Sequence, residues 1–377
     1  MKRVLVAGGL GFIGSHLVDR LLKRADLGEL IVVDNLWTGL RENLAHVSDE
    51  RLQIIIGDIE HAPLSGKFDE IYHLASPASP PWYMTEPLRT ISANVLGAMR
   101  MLELLETGGQ LAYTSTSEVY GDPLVSPQPE SYRGSVDCTG PRAAYDESKR
   151  CVEAMLFEAR RTRGVRIKVV RLFNVFGPRT RMDDGRAVSN FVTQALRGLP
   201  ITVYGDGSQS RSWGYVDDII EGLARYWWRD GVDYPGPLNV GNDREIPVLE
   251  VAEYIQRRFP ECEIRHLPPA PHDPTNRRPD LTIMNQVLPG WTCGVAYEEG
   301  VDRTIDWFRA RLDSAASIVD APEPILLPVE LAPELAPDLA AAEIAPDPAP
   351  RPRPRRRLVP GVIAWTDRLA GGAQAPA

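Results

Sequence analysis

Cysteine is scarce in this 377-residue chain: Cys138, Cys151, Cys262 and Cys293 stand far apart, with no C-x-x-C pair. That spacing excludes a disulfide scaffold and a cysteine-rich zinc site, and it fits a reducing cytoplasm. The six histidines are scattered without ligand spacing, so no metal site is expected, and His73 reads as a hydrogen-bonded structural residue. Long apolar runs are missing too. None approaches the roughly 18 residues that span a bilayer. The N-terminus Met1-Lys2-Arg3-Val4-Leu5-Val6 reaches glycine at once, too soon for a secretory leader. Neither an integral membrane protein nor a secreted one is expected. Basic charge is in deficit, with 42 Lys plus Arg against 51 Asp plus Glu and a net charge of −9. This argues against nucleic-acid binding through a general basic surface.

Proline is plentiful but uneven: residues 313–377 hold 12 of the 33. From Pro322 to Pro350 this tail is Pro, Ala, Leu and acidic residues, followed by Arg351-Pro352-Arg353-Pro354-Arg355-Arg356-Arg357. Such a composition buries too little apolar surface to offset chain entropy, so a disordered tail is expected. Within it, Leu358–Leu369 carries Val359, Val362, Ile363 and Trp365 beside the arginines. That stretch reads as a docking motif for a partner or, more plainly, as a solvated tail end.

The body alternates short apolar runs with amphipathic segments. Strands are expected at Val4–Ala7, Ile31–Val33, Gln53–Ile56, Ile71–Leu74, Leu111–Tyr113 and Lys168–Leu172, and helices at Ser15–Arg24, Thr90–Glu106 and Ala144–Thr162. Mostly continuous apolar strands alternating with helices define an α/β chain with a doubly wound parallel sheet. Residues 1–174, completed by part of 213–240, form the sheet domain in this reading. Residues 175–312 form a smaller substrate-binding domain, and Trp213, Trp227 and Trp228 are taken as packing residues.

Gly8-Gly9-Leu10-Gly11-Phe12-Ile13-Gly14 follows the first strand and opens a helix. Glycines here let backbone approach a pyrophosphate, and the helix N-terminus supplies free N–H groups. Three glycines alone describe any tight strand–helix turn. The context adds Ile31-Val32-Val33-Asp34, whose carboxylate closes the second strand. An acid there accepts from both ribose hydroxyls and repels a 2′-phosphate, which points to NAD rather than NADP. Asp58-Ile59, after the third strand, either contacts adenine or caps a turn.

Tyr145 and Lys149 lie four apart on a predicted helix and share a face. A phenol ordinarily has a pKa of about 10, and a neighbouring lysine cation and oxidised nicotinamide would lower it. Tyr145 could then take a proton from a sugar hydroxyl. Thr114-Ser115-Thr116-Ser117-Glu118 follows the fifth strand directly, where ligand sites of open α/β sheets lie. Thr116 suits a hydrogen bond to the reacting oxygen, Glu118 suits proton exchange or holding a water, and Ser117 reads as a turn residue. Arg211 and Arg277 are forks for diphosphate or carboxylate.

In GGLGFIGSHLVDRL (8–21), HLASPASPPWYM (73–84), TSTSEVYGDPLVSPQPE (114–130), GPRAAYDESKR (140–150), RLFNVFGPR (171–179), DDGRAVSNF (183–191), VYGDGSQSRSWGYVDD (203–218) and RRPDL (277–281), the chain resembles the extended short-chain dehydrogenases/reductases. More narrowly it resembles the UDP-glucuronate decarboxylases, also called UDP-xylose synthases, whose group the 73–84 stretch marks. The likeness spans roughly residues 1–312.

The resemblance implies Tyr145, Lys149, Glu118, Thr116 and Arg277 as catalytic. It implies Gly8, Gly11, Phe12, Ile13, Gly14, Asp34, Asn35, Thr38, Gly39, Asp58, Ile59, Leu74, Ala75, Ser76 and Thr90, with Tyr145 and Lys149, around NAD. Arg89, Asn174, Arg186, Asn190, Tyr204, Arg211 and Arg277 fall to the substrate. Related 4,6-dehydratases carry an aspartic acid where Ser117 stands, and serine cannot serve as that acid at neutral pH. The implied activity is decarboxylation of UDP-glucuronate to UDP-xylose through a 4-keto sugar, in a homodimer built on helices near 90–106 and 144–162. The apolar positions offered for that interface are Ile91, Val95, Ala98, Leu102, Leu105, Val152, Met155 and Leu156. Ser148 replaces a residue usually smaller in the group, and Gly214 stands where a longer polar residue is usual. Other NAD-dependent sugar-nucleotide enzymes remain open on the residues alone: a dehydratase, a 4-epimerase, or a decarboxylase releasing the 4-keto pentose. So does a non-catalytic NAD-binding scaffold.

Overall fold

The first strand, β1 (Lys2–Ala7), is apolar on both sides, and the architecture is built around it. Val4 and Val6 pack into one core cluster while Leu5 and Ala7 pack into another, so both faces of the sheet are covered. A computed structural model describes residues 1–229, 234–269 and 276–315. Most of the expected tail, including Leu358–Leu369, lies outside the described residues.

Around β1 lie β2 (Leu27–Asp34), β3 (Leu52–Ile56), β4 (Phe68–His73), β5 (Leu105–Thr116) and β6 (Arg166–Leu172). A further strand, Leu238–Val240, completes seven in the order Leu238–Val240, β6, β5, β4, β1, β2, β3. Every pairing in it is parallel. The doubly wound sheet expected from the sequence is therefore present.

Nine α-helices occur among the described residues: α1 (Phe12–Leu21), α2 (Pro80–Thr85), α3 (Pro87–Leu104), α4 (Ala143–Arg163), α5 (Ala187–Leu196), α6 (Val216–Trp228), α7 (Val248–Arg258), α8 (Thr282–Val287) and α9 (Tyr297–Ala315). Helices α1 and α6 pack together on one face, through Leu17, Leu21, Ile219 and Leu223. Helices α3 and α4 pack together on the other, through Ala98, Met101, Val152 and Leu156. Trp213 and Trp227 are buried packing residues, as expected.

Three expectations are revised by the structure. Helix α1 starts at Phe12 rather than Ser15, because the last residues of the glycine motif form its first turn and Ser15 N–H donates to Gly11 C=O. Helix α9 runs through Ala315, past the expected start of the tail. The interface residues are also divided differently. Ala98, Leu105, Val152 and Leu156 are consumed inside the chain. Leu88, Ile91, Leu96 and Met99 of α3 are the exposed ones. No described helix is long and apolar enough to cross a membrane.

After β6 the chain builds short pairings apart from the main sheet. Ile264–Leu267 runs parallel to Ile201–Tyr204. Ser210–Arg211 is flanked by Ile246–Pro247 and Asn276–Arg277, with Arg277 opposite Arg211.

Candidate active site

The cofactor loop is backbone pressed on backbone. Gly8 has φ +82, and a Cβ there would meet Ala75 N at 2.7 Å. A Cβ on Gly14 would collide with the Gly8 carbonyl oxygen. These two positions admit only glycine, and they leave a cradle lined by amides at the N-terminus of α1, whose Ncap Gly11 offers no side chain of its own. Leu74 N–H donates to Ala7 C=O at 2.9 Å, which seats the 74–76 segment beside the loop.

Asp34 ends β2 nearly buried, accepting from Leu10 N at 3.0 Å and Leu36 N at 2.9 Å. Burial raises its pKa while those backbone bonds pull it down. A Cβ on Gly39 would come within 2.5 Å of this carboxylate, so the approach to Asp34 is also bare backbone. Asn35 Nδ2 donates to Asp58 Oδ1 at 2.6 Å, Arg89 reaches the same oxygen at 3.3 Å, and Arg89 stacks on Trp37 with 4.4 Å to the ring centre. Arg89, expected at the substrate, thus lies among the residues expected at the cofactor. An amide cradle with a buried carboxylate at the next strand end fits a dinucleotide.

The second cluster stands at the end of β5. Thr116 caps the 3-10 turn Ser117–Tyr120, its Oγ1 accepting from Glu118 N at 3.2 Å. Ser117 is buried as the first residue of that turn, in keeping with the turn role expected of it. Thr116 also hydrogen-bonds the Tyr145 side chain. Lys149, one turn along α4, is 3% exposed and donates from Nζ to Thr114 C=O at 3.0 Å. Its Nζ sits 5.8 Å from the centre of the Tyr145 ring.

Electrostatics correct one expectation. Burial lowers Lys149 to about 7, so it is not a full cation at neutral pH. Burial pushes Tyr145 above its ordinary value, with the Thr116 bond opposing and the charges of Glu118 and Asp146 adding to the rise. The protein alone therefore holds a phenol rather than a phenolate.

Glu118 is clamped by two guanidiniums. Arg277 bonds it from Nη2 at 3.0 Å and Nε at 3.4 Å, and Arg142 bonds it from the start of α4. Burial would raise Glu118, but the charges of Arg277 and Arg142 hold it down at about 2. Arg277 is 1% exposed and also donates to Gly121 C=O. Its fork is thus occupied in part by Glu118.

Among the remaining substrate candidates, Arg186 ion-pairs with Asp184 and lies within charge range of Tyr145. Asn190 Nδ2 donates to Gly185 C=O at 3.4 Å. Asn174 Nδ2 is buried without a partner, and Tyr204 is half-buried at the end of the strand Ile201–Tyr204.

Three site residues were not singled out from the sequence: Tyr83, Arg142 and Asp146. Tyr83 stacks on Tyr145, and its hydroxyl is buried without a partner. All three lie inside quoted segments, Tyr83 in the group-specific 73–84 stretch and the other two flanking Tyr145. What the segments could not reveal is which of their side chains turn inward. The two unusual positions are accommodated locally. Ser148 accepts from Asn94 Nδ2 at 2.8 Å and donates to Tyr145 C=O at 3.0 Å, tying α3 to α4. A Cβ on Gly214 would meet Ile219 Cδ1 at 2.7 Å.

Residues 4–241 match the NAD dependent epimerase/dehydratase family. A crystal structure of a dTDP-glucose 4,6-dehydratase from Streptomyces venezuelae with NAD bound aligns at a TM-score of 0.74 and 27% identity, over 83% of this chain and 98% of that one. The chain belongs to this NAD-dependent, extended short-chain dehydrogenase/reductase family. UDP-glucuronic acid decarboxylase 5 of Arabidopsis thaliana is 45% identical over 313 residues, which are 82% of this chain and 90% of that one. UDP-glucuronic acid decarboxylase 1 of Danio rerio is 44% identical over 326 residues, 86% and 76% of the two chains. Within the family, the chain belongs with the UDP-glucuronic acid decarboxylases.

Proposed function

We propose that this protein decarboxylates UDP-glucuronate to UDP-xylose in a redox-neutral, NAD-dependent cycle. The observation that carries the reading is the joining of Thr116, Glu118, Tyr145 and Lys149 at one strand end, with Arg277 on Glu118. Residues 1–174 with the strand Leu238–Val240 would hold NAD, and 175–312 the UDP-sugar. The Gly8–Gly14 cradle takes the pyrophosphate, Asp34 the ribose, and Asn35 and Asp58 the adenine side. Bound NAD supplies reversible hydride chemistry at C4 of the sugar.

With the positive charge of bound NAD beside it, Tyr145 would lose its proton to solvent, and as a phenolate it takes the proton of the C4 hydroxyl and later returns it. Once C4 is a ketone, the C6 carboxylate is β to a carbonyl. Carbon dioxide leaves with the C5–C6 electron pair drawn toward the C4 oxygen, which Thr116 and the protonated Tyr145 stabilise. Glu118, held ionised by Arg142 and Arg277, binds a water at C5. Ser117 offers no acid for expelling a C6 hydroxyl, which favours decarboxylation over dehydration. Incubation with UDP-glucuronate and NAD, with mass and NMR analysis of the sugar nucleotide, tests this. UDP-xylose with carbon dioxide is expected, and a 4-keto pentose as sole product would change the assignment.

A homodimer completes the reading, with the apolar row Leu88, Ile91, Leu96 and Met99 of α3 as its support. Light scattering at micromolar concentration is expected to return twice the chain mass. The four unbridged cysteines support action in a reducing cytoplasm.

A further inference from the structure

Decarboxylation of a carboxylate substrate consumes one proton per turnover, and none of the groups assigned above supplies it. Tyr145 returns to the C4 oxygen the proton that it removed, so its own cycle closes. Glu118 is clamped by Arg142 and Arg277. A carboxylate fixed by two guanidiniums accepts hydrogen bonds but does not give a proton away.

Asp146 follows Tyr145 on α4. It is 5% exposed, and its Oδ1 is buried without a hydrogen-bond partner. An ionised carboxylate oxygen left so is costly, whereas a protonated carboxyl is far less so. Several charged and titratable groups lie within electrostatic range of it. Arg142, Tyr145 and Glu147 are on its own helix, Glu118 is on the turn after β5, Arg277 is on the strand Asn276–Arg277, and Tyr83 is on α2. Burial and the charge of Glu118 outweigh the two arginines and push the carboxyl up to about 7.

We infer that Asp146 is the proton store of this site, holding as a carboxylic acid the hydrogen that C5 acquires and releasing it through the water on Glu118. The inference rests on the decarboxylation reading. When carbon dioxide has left, the C5–C6 electron pair resides in the enolate spanning C5, C4 and its oxygen. The Asp146 O–H bond breaks, its pair stays on the carboxylate oxygen, and the proton passes to the water. The water gives a proton to C5, the enolate pair becomes the C5–H bond, and the C4 ketone is restored. Asp146 regains its proton from solvent before the next turnover. Asp146 acts through the water and is a positioning residue, distinct from the catalytic groups that meet the sugar.

The test is Asp146→Asn in the full chain. Single-turnover absorbance should show C4 oxidation within about threefold of wild type, while steady-state turnover falls by about 10²–10⁴. The wild-type loss of post-oxidation rate above about pH 7 should vanish from the variant. Lys149 titrates in the same range and serves both hydride steps, so the post-oxidation rate is read as deuterium uptake at C5, which neither hydride step sets. Turnover and pH profile like wild type would overturn the inference, as would an equal loss of oxidation and turnover in a folded variant. If the variant does not fold, the wild type decides: a post-oxidation rate that falls above pH 7 supports the inference, and one flat from about pH 6 to 9 overturns it. Failure of the wild type to release carbon dioxide would instead sink the proposed function.

Discussion

The ring of Tyr83 lies parallel to that of Tyr145, with centroids 4.8 Å apart and planes 6° from coplanar. One wall of the catalytic phenol is thus another phenol, carried by the short helix α2. Offset-stacked rings of this kind resist rotation of either partner. Tyr83→Ala should let Tyr145 wander from its productive orientation and lower kcat by about 10–100-fold, since small misplacements are expensive in rate. Tyr83→Phe keeps the wall and should lose less than about tenfold. Steady-state carbon dioxide release from UDP-glucuronate separates the two.

Tyr145→Phe removes the acid/base group and the partner of Thr116 while keeping the stack. Turnover should fall by about 10²–10⁴, with NAD affinity by calorimetry close to wild type. Near-normal turnover would remove Tyr145 from its assigned role.

Asp34 receives two loop amides before any ribose hydroxyl reaches it. Asp34→Ala should therefore weaken NAD binding, narrow the preference for NAD over NADP, and loosen the loop as well. Titration of both cofactors checks the first two effects, and thermal melting without cofactor checks the third. Equal affinity of the unmodified protein for NAD and NADP would refute the reading of this carboxylate.

Lys149 links activity to stability. Its folded pKa is lowered to about 7, below the unfolded value of about 10.4. Between these values the unfolded chain binds the proton and the folded chain does not, so stability rises with pH across that window. Below about pH 7 the folded protein bears the full penalty of the buried cation. Lys149→Met should abolish turnover, lack that slope, and melt about 2–4 °C above wild type at pH 7. Melting curves from pH 6 to 10 compare the slopes.

The sheet was legible because β1, β2 and β4 to β6 are apolar on both faces, a pattern that needs no partner to be recognised. The short strand Leu238–Val240 has no such signature; its three residues gain strand form only by pairing with β6. In the site, Tyr145, Lys149, Thr116 and Glu118 could be read from spacing, since one helix turn and one strand end determine where they point. The clamp on Glu118 could not. Its two arginines stand 135 positions apart, at 142 and 277, and meet because the strand Asn276–Arg277, paired with Ser210–Arg211, brings Arg277 to the turn after β5. The phenol state of Tyr145 was equally hidden, because burial, rather than neighbouring charge, dominates it.

The position of Leu238–Val240 has a consequence for how the molecule must be made. That strand covers the outer edge of β6, so until residue 240 has left the ribosome β6 presents a row of unpaired backbone groups. An uncovered apolar edge templates pairing between neighbouring nascent chains. Aggregation risk during synthesis is therefore concentrated between the completion of β6 at Leu172 and the arrival of Val240, and a gene fragment cut anywhere in that interval would carry the same exposed edge permanently.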